Sequence, residues 1–251
     1  MTGDPVSVPA SEVPGARTPF VKADASGEMT LYDGRALEPS TVYEVPGRGR
    51  FYTDADGQVV RVETTSGGGA AINPDLNRPL PGVEYVVNGH TVFKTDDLTR
   101  TVEMDARDLT TAKGDRSDSI QSSVGAEGRA EFTDPATDKP LTDPKTGQPY
   151  DYEGGHLRGA QFDGPRERIN YVPMLEDINN ARSHFIDPVS GGNFGTLEND
   201  LAAFIKDHPD SVVDFKVTPV FEGDGRVPVR IETQYRIDGG DWEVGVFKNV
   251  R

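Results

Sequence analysis

The sequence predicts an α+β fold built on an antiparallel sheet, preceded by a small β-hairpin module. Three observations lead there. Glycine and proline are abundant, at 28 and 19 of 251 residues, so turns and short strands outnumber long helices. Two stretches near the N-terminus alternate apolar and polar residues around Gly or Asp-Gly turns. The C-terminal third places helical spacing ahead of three strand-like runs.

Residues 1–40 carry Pro5, Pro9, Pro14, Pro19 and Pro39 among small residues and read as a linker or extended entry segment. Residues 41–110 hold a weak internal repeat. TVYEVPGRGRFYTDADGQVVRVE and VEYVVNGHTVFKTDDLTRTVE align Tyr43 with Tyr85, Phe51 with Phe93 and Asp54 with Asp96, each offset by 42. The closing Val62-Glu63 and Val102-Glu103 are offset by 40, which suggests a two-residue deletion in the second copy. His90 follows Asn88-Gly89 and reads as a surface turn residue.

The third unit spans 111–251. Lys113 to Tyr150 reads as loop, with Asp134-Pro135 and Asp143-Pro144 as turn signals. A short helix is expected over Leu175–Phe185. A longer one is expected from Phe194 to His208, where Leu197, Leu201, Phe204 and Ile205 recur at helical spacing before Pro209. Strands follow at Ser211–Phe221, Val227–Ile237 and Trp242–Val250, the last two joined by Asp238-Gly239-Gly240.

Composition excludes several chemistries. Without cysteine there are no disulfides, thiolate metal sites or cysteine nucleophiles. MTGDPVSVPA has neither a basic start nor an apolar core, so no signal peptide is expected, and no run reaches membrane-spanning length. The net charge of -16 opposes nucleic acid at long range.

Against that stands GGHLRGAQFDGPRERINYVPMLEDINN, residues 154–180. Gly154-Gly155 allow backbone to approach a ligand, and a histidine beside them is suited to taking a proton from water near neutral pH. Asn179 and Asn180 fall on the expected short helix, where an amide oxygen could bind a hard cation such as Mg2+. Glu198 has Ala202 and Ile205 on its helical face, which turns a carboxylate inward. Arg158, Arg166, Arg168 and Arg182 cluster nearby and could hold phosphates. Each feature also has a plainer reading: a tight turn, a satisfied amide, a solvent-facing helical pair, a solvated basic face.

Taken together, GGHL, FDGP, NYVP, INN and FGTLE resemble the DNA/RNA non-specific endonucleases of the ββα-metal (His-Me finger) class, in the branch found as C-terminal domains of bacterial polymorphic toxins. The resemblance implies a ββα-metal nuclease core and a sequence-non-specific, metal-dependent endonuclease acting on DNA and RNA, with Mg2+ or Mn2+ as the ion. It implies His156 as general base, Asn179 as the sole protein ligand of the ion, and Glu198 as the residue that orients the ion's water shell. Asn179 rather than Asn180 is chosen because it lies nine residues beyond Asn170 of NYVP. GDRSDSIQSSVG resembles the family's lead-in, which puts Arg116 at the scissile phosphate. Further implications are a larger secreted parent with upstream delivery domains, action in the target-cell cytoplasm, and a cognate immunity protein.

The chain departs from the family pattern at three places. Glu153-Gly154-Gly155-His156 lacks the arginine of Asp-Arg-Gly-His, so Arg158 is expected to supply the missing charge. Asp163 replaces a glycine, and Phe194 replaces a tryptophan. The arginines around the site are expected to offset the acidic net charge locally. A catalytically degenerate binding or delivery module is the alternative. A zinc hydrolase built on His156, His184 and His208 lacks any HExxH spacing.

Overall fold

The structure, a computed structural model, describes residues 36–180 and 193–250, apart from 46, 69–70, 113, 143, 145–146 and 148. It adds one short strand pair, β1 (Lys22–Ala23) and β2 (Met29–Thr30). Most of the proline-rich entry segment, and Arg182 and His184, lie outside the described residues.

The repeat is real, and each copy is a three-stranded meander instead of a single hairpin. The first copy comprises β3 (Val42–Val45), β4 (Gly49–Thr53) and β5 (Val59–Thr64). The second comprises β6 (Glu84–Val87), β7 (Thr91–Thr95) and β8 (Thr101–Ala106). Tyr43 pairs with Phe51 and Phe51 with Val62, just as Tyr85 pairs with Phe93 and Phe93 with Met104. The offset of 42 therefore holds throughout, and the counterpart of Val62 is Met104, not Val102. No deletion separates the copies. Each even bends at the same place, Tyr52/Thr53 and Lys94/Thr95.

Hydrogen bonding repeats as well. The Tyr43 hydroxyl accepts from the Glu38 amide and that of Tyr85 from the Leu80 amide, both at 2.7 Å. Thr53 donates Oγ1 to the Glu38 carbonyl and Thr95 donates Oγ1 to the Leu80 carbonyl, each at 2.7 Å. Asp54 Oδ1 caps the amides of Asp56 and Gln58, and Asp96 Oδ1 those of Leu98 and Arg100. Polar groups that would otherwise lose water on folding are thus satisfied twice over by one pattern.

The copies join through a parallel pairing of β5 with β6, which needs a crossover connection. That connection holds helix α1 (Pro74–Asn77), started by Pro74 and capped by Asn73. Glu167, fully buried, pins it by accepting from the Gly67 and Asn73 amides at 2.8 and 2.9 Å.

Beyond β8 the chain forms α2 (Asp118–Glu131), the small hairpin β9 (Thr133–Asp134) and β10 (Lys139–Pro140), and a second hairpin. The latter consists of β11 (Tyr152–His156) and β12 (Tyr171–Leu175), followed at once by α3 (Glu176–Asn179). Then come α4 (Phe194–Asp207) and the strands β13 (Val213–Val220), β14 (Arg230–Ile237) and β15 (Glu243–Lys248). The last three join the meanders in one nine-stranded sheet, ordered β15-β14-β13-β8-β7-β6-β5-β4-β3, antiparallel except at β5–β6. β8 pairs with β13, so the sheet runs unbroken across residue 110, and one apolar cluster joins Tyr85 and Phe93 to Tyr152, Phe162 and Phe215.

Helix α2 replaces the loop expected over its residues. Its buried face is Val124, Gly125 and Gly128, which carries no apolar periodicity to read. The glycines are packing surfaces: a Cβ on Gly128 would meet the Tyr152 side chain at 2.7 Å and Pro173 at 2.6 Å. The ββα hairpin is clasped to the sheet by Asn249, wholly buried at the end of β15. Its side chain bonds the Pro173 and Pro228 carbonyls and the Leu175 amide at 2.8–2.9 Å.

Candidate active site

A cavity of ≈ 430 Å³ opens where β11, α2, α3 and α4 meet. Arg116, Gln121, Glu153, His156, Asn179, Asn180 and Glu198 line it, with Gly159, Ala160, Gln161, Gly195 and Asn199. Four of the expected residues, His156, Asn179, Glu198 and Arg116, therefore share one site.

His156 ends β11, paired with Tyr171, whose ring lies 4.4 Å away between centroids. The double glycine before it is not a ligand approach. A Cβ on Gly154 would strike the Gln121 carbonyl oxygen at 2.4 Å, and one on Gly155 would strike Met174 at 2.7 Å. These glycines let α2 and Met174 press against the strand, which encloses the imidazole. Nε2 is sealed and unpartnered, leaving Nδ1 as the ring nitrogen that still meets solvent. Burial, with help from the Arg116 charge, pushes the ring down to about 3, so it is neutral at physiological pH.

Helix α4 begins where Asn193 caps the Thr196 amide at 2.7 Å while its own Nδ2 donates to the Asn180 carbonyl at 2.8 Å. That buried asparagine ties α3 to α4. One turn later Glu198 enters the cavity on the face that also carries the buried Leu201 and Ile205. The residue keeps some surface, but its Oε1 is closed off without a hydrogen bond. Burial raises its carboxyl to about 8, against the opposing pull of the Gly159 amide and Arg116. Gly159 is there because a Cβ would lie 2.6 Å from Oε1.

Asn179 and Asn180 both donate Nδ2 to Glu153 Oε2, at 2.9 and 3.1 Å. This fixes the amide planes and leaves Asn179 Oδ1 without a partner among the described residues. Glu153 was not among the expected site residues. Its signal was its place as the acidic residue of the Glu153-Gly154-Gly155-His156 motif.

The loop from His156 to β12 is organised by Asn170. Its side chain bonds the Arg158 amide and carbonyl at 2.9 Å and the Pro165 carbonyl at 2.8 Å. Asp163 takes φ = 57°, a left-handed conformation that Asp tolerates where glycine is usual. Gly164 has no such latitude, because a Cβ would sit 1.8 Å from the Arg158 carbonyl oxygen.

Arg158 does not supply charge to the cavity. It is 2% exposed and turns to the meander, donating to the Phe162 carbonyl at 2.8 Å, to His90 Nδ1 at 2.9 Å and to Thr91 Oγ1. A guanidinium only donates, so His90 accepts and is neutral; burial and the Arg158 charge lower its pKa accordingly. His90 is an exposed turn residue that also anchors a buried arginine. Arg168 bonds Glu127 at 2.7 Å in a different cleft, and Arg166 lies 3.9 Å from Asp115, outside the cavity. Three of the four expected arginines, Arg158, Arg166 and Arg168, are thus dispersed, because neighbours in sequence leave a loop in different directions, and Arg182 lies outside the described residues. Among the described residues Arg116 is the one cation lining the cavity, and it makes no ion pair there.

The donor set bears on a metal. No cluster of three or more His, Asp or Glu side chains suited to a metal occurs among the described residues. His208 ends α4, bonded to the Phe204 carbonyl at 3.0 Å and stacked on that ring. A caged zinc site on His156 and His208 therefore has no support. A free amide oxygen, a half-buried carboxyl and room for water instead fit a hard divalent ion that keeps most of its hydration.

The β11–β12 hairpin followed by α3, set against a mostly antiparallel sheet, defines an α+β nuclease fold of the ββα-metal type. Residues 81–239 match the DNA/RNA non-specific endonuclease family, and the chain belongs to that family. Among solved structures it is similar to an extracellular nuclease, at 18% identity over 65% of this chain and 87% of that one, with TM-score 0.40. It is similar to an extracellular endonuclease at 22% identity over 62% and 75%, with TM-score 0.37. A third is the Sda1 nuclease with bound zinc ion, at 22% identity and TM-score 0.34. There the likeness covers 39% of this chain and 38% of that one.

Proposed function

We propose that the chain is a sequence-non-specific endonuclease that hydrolyses phosphodiester bonds of DNA and RNA with a divalent cation, Mg2+ or Mn2+. One observation carries this reading: a neutral imidazole, a free amide oxygen, a buried carboxyl and an unpaired guanidinium face the same cavity. His156 Nδ1 accepts a proton from water as its oxygen forms the new bond to phosphorus. The bond to the leaving oxygen breaks in line, and that oxygen takes a proton from solvent. A ring near pKa 3 is a weak base in the empty site, but a phosphodiester beside it favours imidazolium and strengthens it. Arg116 holds the scissile phosphate. Asn179 Oδ1 would hold the ion, Glu198 would fix its water, and Glu153 positions the Asn179 amide. The bound ion supplies Lewis acidity for the charge that grows on the phosphate. No base-reading motif is present, so the backbone is what is recognised.

From the family resemblance we further propose a toxin domain carried by a larger secreted parent, acting in the target-cell cytoplasm and restrained in the producer by an immunity protein. Arg116 as the one cation lining the cavity among the described residues is the observation that favours the second reading, a nuclease fold without turnover. Incubating the chain with plasmid DNA and with RNA, in Mg2+ and in EDTA, separates the two. Cutting in Mg2+ that stops in EDTA is expected. Intact nucleic acid with Mg2+, Mn2+ and Zn2+, from folded protein, would establish the second reading.

A further inference from the structure

A second cleft, of ≈ 570 Å³, lies on the other flank of α2. Arg78, Arg168 and Arg226 line it together with the hydroxyls of Thr99, Ser119 and Ser123, and Glu127 is the one carboxylate on its walls among the described residues. Glu127 is used by Arg168 at 2.7 Å, whereas Arg78 and Arg226 make no ion pair among the described residues. In a chain of net charge -16, three guanidiniums against one carboxylate invert the local sign. Burial lowers the Arg168 pKa, Glu127 raises it in part, and the Arg226 charge lowers it again.

The cleft is held from both sides. Arg100 donates to the Gly223 and Gly225 carbonyls at 2.7 and 2.8 Å while its guanidinium lies 4.4 Å from the Phe221 ring. Glu131 accepts the Arg226 and Val227 amides at 2.8 and 3.0 Å. The loop that presents Arg226 is therefore fixed before any ligand arrives. On the opposite wall Arg78 closes α1, and Asn77 Oδ1 accepts the Arg168 amide at 3.3 Å. Preorganised cations with no anion of their own are what an external phosphate needs.

The position relates the cleft to the cavity. On α2, Gln121 faces the cavity, and Ser119, Ser123 and Glu127 face the cleft, with the buried Val124 and Gly128 between them. The two sites are thus about one helix diameter apart, roughly 10–12 Å. A strand advances at least about 3.4 Å per phosphate, so it spans that gap in at most roughly three nucleotides.

We propose that this cleft is a second phosphate site, which holds the backbone of the same strand within roughly three nucleotides of the bond that is cut. It rests on the nuclease reading and supplies the affinity that the acidic chain lacks elsewhere. A 20-nucleotide DNA would be bound in EDTA, where no cutting occurs, across a salt series by the wild-type chain, by Arg78→Ala and by Arg226→Ala. Each substitution is expected to weaken binding roughly fivefold to tenfold and to lower the salt slope by about 1. Cleavage of a dinucleotide, too short to reach the cleft, is expected to be unchanged. Wild-type-like binding of the 20-mer by both variants would overturn the proposal, as would equal losses on the dinucleotide. A wild-type chain that neither binds nor cuts nucleic acid would instead remove the nuclease reading itself, and this proposal with it.

Discussion

In the duplicated meander, Thr53 and Thr95 each both accept and donate, and Tyr43 and Tyr85 each accept a backbone amide. In the ββα hairpin and α4 beside it, His156 Nε2 and Glu198 Oε1 are sealed with no hydrogen bond. Both regions bury polar side chains against one continuous core. The meander finds every one of these groups a partner in its own backbone, twice. The hairpin leaves groups unpaired around a cavity, at a cost in stability that a bound ligand could offset. The bonded threonines and tyrosines hold the scaffold, whereas the unbonded imidazole nitrogen and carboxyl oxygen belong to residues that line the cavity.

The contrast can be broken most severely at Asn179. Asn179→Ala is expected to cut the cleavage rate roughly 10²-fold or more. Asn180→Ala, which removes only a second donor to Glu153, is expected to cost under about tenfold in the same plasmid assay. Equal losses would move the ligand role off Asn179.

On the scaffold side the largest effect is expected at Asn249. Asn249→Ala leaves two carbonyls and an amide buried without partners, and should lower unfolding free energy by on the order of 3 kcal/mol. Urea denaturation measures it.

Next is the pH dependence of stability. Glu198 has a folded pKa raised from 4.5 to about 8, so its contribution is full below pH 4.5 and is lost as pH rises through 8. His156, lowered from 6.5 to about 3, works on the acid side: stability is present above pH 6.5 and declines as pH falls towards 3. Glu198→Gln should therefore be more stable than wild type at pH 8, by on the order of 2 kcal/mol, and indistinguishable at pH 4.5. Thermal melts at the two pH values test this, and a variant less stable at pH 8 would contradict it.

The smallest expected effects sharpen the comparison. Thr53→Val and Thr95→Val should each cost about 1–2 kcal/mol, equally for the two copies, and leave cleavage unchanged. Unequal costs in urea denaturation would mean that the copies are alike in bonding but not in energetics.

Much of this layout is legible in the sequence. The 42-residue offset located the two copies, helical spacing located α4, and alternation located β13 to β15. The motif set located His156, Asn179 and Glu198, which meet in one cavity. Helix α2 was not legible, because its packing face is Val124, Gly125 and Gly128 and glycine reads as a breaker. The roles of Gly154 and Gly155 were misread for a related reason: close approach of a helix and close approach of a ligand demand the same residue. The arginines misled because spacing along a loop says nothing of direction. Arg158, two residues from His156, faces Thr91, whereas Arg116, 40 residues away, faces the cavity. Glu153 was passed over because its partners, Asn179 and Asn180, come into reach only when β11 and β12 pair.

Whether His156 serves chemistry or packing is decided by its removal. Plasmid DNA and RNA should be incubated in Mg2+ with wild type and with His156→Ala, with circular dichroism confirming the fold of both. The cleavage rate of the folded variant is expected to fall by about 10²–10⁴-fold. Undiminished cleavage by a folded His156→Ala would contradict it.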